Sequence, residues 1–120
     1  MKGFIYGCIT GTLLTLAAAH ESQPTAREPQ FENAAVKVWK TTVAPNSPTE
    51  LHRHDHPRVV VALTGGTLEL VDQNGAKEDH IWQAGKAYWL AAMPPGAMHR
   101  DVNPGASPME VVVVELEKEK

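Results

Sequence analysis

The chain is read as all-β, a single small barrel, on three observations. β-Branched and alternating segments recur along it, turn residues separate them at intervals of about eight to twelve residues, and no stretch sustains the apolar spacing of a helix. At 120 residues, with nine Gly and nine Pro, there is material for one compact core and not for two.

Taken in chain order, the first segment is set aside from the fold. Lys2 is followed by an uncharged run from Gly3 to Ala19 that ends in Ala17-Ala18-Ala19, the pattern of a secretory signal over residues 1–19. An uncleaved membrane anchor is the weaker reading, because a run of that length is near the lower limit for a bilayer and carries three Gly and three Thr. Ile5-Tyr6-Gly7-Cys8 has the look of a lipidation site, but too few residues precede it. Residues 20–30 are polar, contain two Pro and show no period, so they are expected to be a flexible leader. The folded domain is then 31–120, in an exported protein, secreted or periplasmic, with no membrane contact once the signal is gone.

Strands follow. Ala35 to Val43 is β-branched and partly alternating and stops at Pro45-Asn46-Ser47-Pro48. Val59 to Leu63 is apolar on both faces, as in a buried strand, and closes at Gly65-Gly66. Thr67 to Val71 leads into Asp72-Gln73-Asn74-Gly75, the strongest hairpin signal in the chain, and His80-Ile81-Trp82 returns from it. Ala87 to Leu90, Ala97 to Val102 and Glu110 to Leu116 complete the set.

Composition excludes several functions. Eleven Lys and Arg against fourteen Asp and Glu give a formal charge of −3, with the basic residues scattered singly, so no cationic face is offered to a phosphate backbone. Nucleic acid is not an expected partner. The single Cys8 lies in the expected signal and leaves the mature chain without a disulfide.

The histidines carry the chemistry. Three of the six, His52, His54 and His56, fall within five residues at the edge of an apolar strand. In an extended chain side chains two apart share a face, so these three and Arg58 project together while Arg53, Asp55 and Pro57 project oppositely. Two imidazoles so placed chelate one ion without distorting the backbone. One such histidine would ordinarily belong to a polar surface loop. Three at period two favour a first-row divalent ion over that reading, with Fe, Mn, Ni and Zn all compatible with imidazole nitrogen.

The pattern around them resembles the cupin family. His52-Arg53-His54, then Arg58 and Gly65, is similar to the first cupin motif, in which a His-x-His pair is followed by Glu and then Gly. Gly85, Pro94-Pro95-Gly96, His99 and Asn103 are similar to the second. The resemblance spans His52 to Asn103 and implies a double-stranded β-helix, or jelly roll, with a metal ion inside it. It implies His52, His54 and His99 as ligands, with His56 as an alternative on the same face, and a homodimer paired through edge strands.

Two departures from the pattern bear on function. Arg58 stands where the family has its ligand Glu, and a guanidinium cannot ligate a cation. The remaining three-His set leaves coordination positions for water, dioxygen or substrate. Arg58 itself has two readings: a cavity cation that holds a substrate carboxylate, or a structural partner of Glu50, Asp101 or another rim carboxylate. The segment between Gly85 and Pro94 is also longer than is usual, which reshapes the approach to the site.

Trp39, Trp82 and Trp89, with Tyr88, are expected in the core rather than around a pocket. His80 is expected at the surface, and Asn103 and Gly96 in turns. Two functions are consistent with these residues. One is a metal-dependent enzyme, dioxygenase-like or of isomerase/lyase type, acting on a small organic acid or phenolic compound. The other is a non-catalytic barrel that binds a small anion, with structural metal or none. Export makes one prediction. The intact mass of the secreted protein should begin at His20, with the formal charge at −4 after loss of Lys2, and retention of Met1 would refute the signal.

Overall fold

A computed structural model describes residues 24–117, and the expected signal lies outside them. Eight strands form two antiparallel sheets: β1 (Ala26–Glu32), β2 (Val36–Val43), β3 (Arg58–Ala62), β4 (Gly66–Asp72), β5 (Lys77–Trp82), β6 (Ala87–Leu90), β7 (His99–Val102) and β8 (Met109–Leu116). The larger sheet runs β1-β2-β8-β3-β6 and the smaller β5-β4-β7. No α-helix occurs among the described residues.

β8 organises the larger sheet. Its run of four valines, Val111 to Val114, suits a pleated surface, and the strand pairs on one side with β2, from Val36↔Leu116 to Val43↔Met109, and on the other with β3, from Arg58↔Glu115 to Ala62↔Val111. Alternation then turns Met109, Val111 and Val113 inward, where they pack with Trp39, Val43, Val60, Ala62, Leu68 and Trp82. The same parity turns Arg58 inward beside Val60 and Ala62. The expected hairpin joins β4 to β5, with Gly75 at φ 90°, a conformation that L side chains rarely adopt.

Three expectations are corrected. Residues 26–30, placed in a flexible leader, belong to β1, which pairs with β2 from Ala26↔Thr42 to Glu32↔Lys37. Every residue of β1 is exposed, so it carries no apolar alternation to betray it; backbone pairing and the Arg27 guanidinium 3.8 Å above the Trp39 ring hold it in place. Trp89 is 59% exposed on the outer face of β6, whereas Trp39 and Trp82 are in the core as expected. Asn103 is more than a turn residue. It is 1% exposed, its Nδ2 donates to Val43 O and Ser107 O, each at 2.8 Å, and its Oδ1 accepts from Gly105 N at 2.8 Å.

That side chain joins the end of β2 to the turn after β7, and its loss would leave buried backbone groups without partners. Asn103→Ala is expected to lower unfolding stability by about 3 kcal/mol. Asn103→Asp should not restore it, because a carboxylate would face the same two carbonyl acceptors. Urea denaturation of both variants measures this, and an unchanged midpoint would count against the clamp.

Candidate metal centre

The site is built where the two sheets meet. His52 lies outside the named strands but forms an antiparallel bridge with His99, the first residue of β7. Each backbone N–H of the pair donates to the other's carbonyl at 2.8 Å, which fixes the two residues directly opposite each other. The preceding segment is fastened to the same strand: Thr49 N donates to Asp101 O at 3.1 Å, and Asp101 N donates to Thr49 Oγ1 at 2.9 Å. His54 is held from the opposite side, its carbonyl accepting from Met93 N at 2.9 Å.

The imidazoles of His52, His54 and His99 converge, with one ring nitrogen from each lying within 4.8 Å of the others. Their ring centroids are 4.9, 4.7 and 5.5 Å apart. His56 does not join them. The chain bends at His56 and meets Pro57 before β3 begins, so the strand parity that would have aligned it is interrupted, and it lies away from the cavity.

The donor set fits a divalent ion. His52 Nδ1 donates to Glu50 O at 2.7 Å, which leaves the lone pair on Nε2. His99 Nε2 is buried with no hydrogen-bond partner, 3.6 Å from Asp101 Oδ1. A buried ring nitrogen left so is an unmet valence that a metal would satisfy. Burial pushes the His54 pKa down to about 2, assisted by the charge of Arg58 and by the neighbouring His52 and His99. Burial likewise pushes His99 down to about 4, assisted by His52 and Arg58. Both imidazoles are therefore neutral at neutral pH, the form that metal coordination requires.

The three nitrogens open onto a cavity of about 590 Å³ that runs between the sheets. Such a volume suits a small molecule. Its charged lining comprises Arg27, Arg53 and Arg58 against Glu50 and Asp101, with Trp39 and Trp82 among its apolar walls. His80, expected at the surface, lines it too, half-buried, with its Nε2 3.3 Å from Glu78 Oε2. The signal available was its parity with Trp82 on β5. The longer segment after β6 is the one that reaches the site, through Met93 at His54 and through Ala91 O, which accepts from Arg58 at 3.4 Å.

No family model matches the chain. It is 43% identical over 88 residues to the β-alanine degradation protein BauB of Pseudomonas aeruginosa, covering 73% of this chain and 86% of that protein. Among solved structures, a cupin domain from Bordetella pertussis Tohama I superposes with a TM-score of 0.70 at 27% identity, over 79% of this chain and 95% of that one. A cupin 2 conserved barrel domain protein from Salinispora arenicola matches with a TM-score of 0.55 at 27% identity, over 76% and 74%. A double-stranded β-helix protein from Klebsiella pneumoniae shares the fold, with a TM-score of 0.60 at 22% identity, over 80% and 79%.

The depressed histidines give the metal-free chain a definite pH dependence. Below the unfolded pKa near 6.5, the unfolded chain binds protons that folded His54 and His99 refuse, so stability falls as pH falls. The raised pKa of buried Asp101 acts in the opposite sense and offsets part of the loss. Between pH 6.5 and 4.5 the chelator-treated protein should lose about 2–4 kcal/mol, at roughly 1.4 kcal/mol per pH unit for each histidine. Denaturant midpoints that stay flat across that range in the chelator-treated protein, or that fall as steeply in His54→Asn as in the unsubstituted chain, would refute the assignment.

Proposed function

The chain belongs to the cupin family, and from that premise we propose that it binds a first-row divalent ion through His52, His54 and His99 and acts on a small organic acid at that centre. The observation that carries the reading is the convergence of three ring nitrogens at the wall of a cavity of about 590 Å³. The relationship to a β-alanine degradation protein supports a small carboxylate as the substrate class. Bound there, an Fe, Mn, Ni or Zn ion would supply Lewis acidity, and Fe or Mn also redox capacity, for chemistry of the dioxygenase or isomerase/lyase type.

The chain's own residues contribute the rest. The Glu50 carbonyl sets the His52 tautomer, and the reciprocal backbone hydrogen bonds between His52 and His99 place the His99 ring. Trp39, Trp82 and Leu68 remove water from the space that the substrate would fill. We also propose export by the signal at 1–19 and a homodimer. A second reading, a barrel that binds a small anion without catalysis, is favoured by the excess of arginine over carboxylate in the lining.

His54→Ala should weaken divalent-metal affinity by more than about 100-fold, since even outer-sphere partners are worth 10–100-fold, while His56→Ala should leave it unchanged. Metal titration followed by elemental analysis measures both. Wild-type affinity in His54→Ala would sink the three-histidine centre. Oxygen uptake and product analysis with β-alanine and other small acids on the Fe(II)-loaded protein separate the enzyme from the binding barrel, and a metal-loaded protein that binds an acid without converting it supports the barrel.

A further inference from the structure

We propose that Arg58 is the carboxylate-recognising residue of the cavity, gripping a small monocarboxylate beside the three histidines. The inference rests on the cavity being the substrate site and deepens that reading by naming the group that selects the substrate.

Two arginines frame the argument. Arg53 is satisfied by the protein: Nε meets Asp55 Oδ1 at 2.7 Å, and its Nη1 donates to Pro94 O at 3.0 Å and to Ala97 O at 2.7 Å. Its side chain retains 27% exposure, so water could have served in their place. Arg58 is 5% exposed, and its hydrogen bond to the protein is a long one, 3.4 Å from Nη1 to Ala91 O. Among the described residues no carboxylate comes within ion-pair distance of it. The more deeply buried cation has the fewer partners, the reverse of what burial requires.

Asp101 on β7 and Glu115 on β8 act on Arg58 only across a distance and do not close onto it, and burial is what lowers its pKa. It nevertheless stays charged, since a guanidinium does not deprotonate in a protein. The side chain lines the cavity that the three histidines also line, and its charge is felt at His54 and His99. A flat fork of donors facing a cavity is matched by a flat pair of acceptors, and a carboxylate presents these bidentately. The structural alternative, a rim salt bridge, lacks its carboxylate.

The test uses the full mature chain treated with chelator, so that no metal competes for the anion. Propionate and its neutral isostere propionamide are titrated by ligand-observed NMR into wild type, Arg58→Gln and Arg58→Lys, with thermal midpoints recorded alongside. Wild type should bind propionate 10- to 100-fold more tightly than propionamide, as charge-assisted pairs allow. Arg58→Gln should lose that preference without a lowered midpoint, and Arg58→Lys should keep part of it. Equal binding of the two probes by wild type overturns the proposal even if no variant folds. Wild-type propionate affinity in Arg58→Gln overturns it as well, and a lowered midpoint in that case marks a structural role. Zinc titration of the same wild-type sample separates the two readings: failure to bind zinc with propionate binding intact removes the metal centre and leaves Arg58 standing.

Discussion

Two backbone hydrogen bonds, between His52 and His99, are the constraint on which the site depends. They join a segment leading into the larger sheet to the first residue of a strand in the smaller one. Without them the sheets would still bury Trp39, Val60 and Val113 against Leu68 and Trp82, since hydrophobic burial is not directional. The side chains of His52 and His99 would have no fixed relation. Directional bonds thus set the positions of the imidazoles within a packing that alone would tolerate several.

Much of this was legible because strands and turns speak locally. Ala87 to Leu90 coincides with β6, and the Asn74-Gly75 hairpin lies where its residues put it. The His52, His54 and His99 grouping was legible from spacing and from the family pattern together. What escaped was whatever depended on partners distant in sequence. β1 has no inward face, so only its pairing with β2 makes it a strand. Strand parity put His56 with its neighbours, but parity holds only while the chain stays extended, and Pro57 follows a bend. His80, on the strand that returns from the hairpin, was expected at the surface, and the cavity beneath it is made largely by other strands. Arg58 could be placed by parity on the inward face, but whether a carboxylate met it there was beyond any local pattern.

The electrostatics of the cavity follow from burial more than from composition. A chain with a formal charge of −3 has an interior cleft whose fixed charges lean positive, because its surplus carboxylates lie elsewhere. Burial keeps His54 and His99 uncharged, and it cannot do the same to Arg58. The result is a neutral nitrogen cluster beside a permanent cation. A permanent cation beside three neutral imidazoles opposes the binding of a metal cation there and favours the binding of an anion. Both changes make the centre more dependent on the molecule it receives.

The place of Thr25 and Arg27 has a consequence for how the protein is handled. Both line the cavity, Arg27 from an exposed position over Trp39, and Thr25 is tied to the β2 end through Ser47 and Ala44. Thr25 and the start of β1 are therefore part of the cavity wall. A protease that trimmed into β1 would widen the entrance and strip a cation from its rim while leaving the β-sandwich core intact, so a shortened protein could be folded, soluble and altered in what it admits.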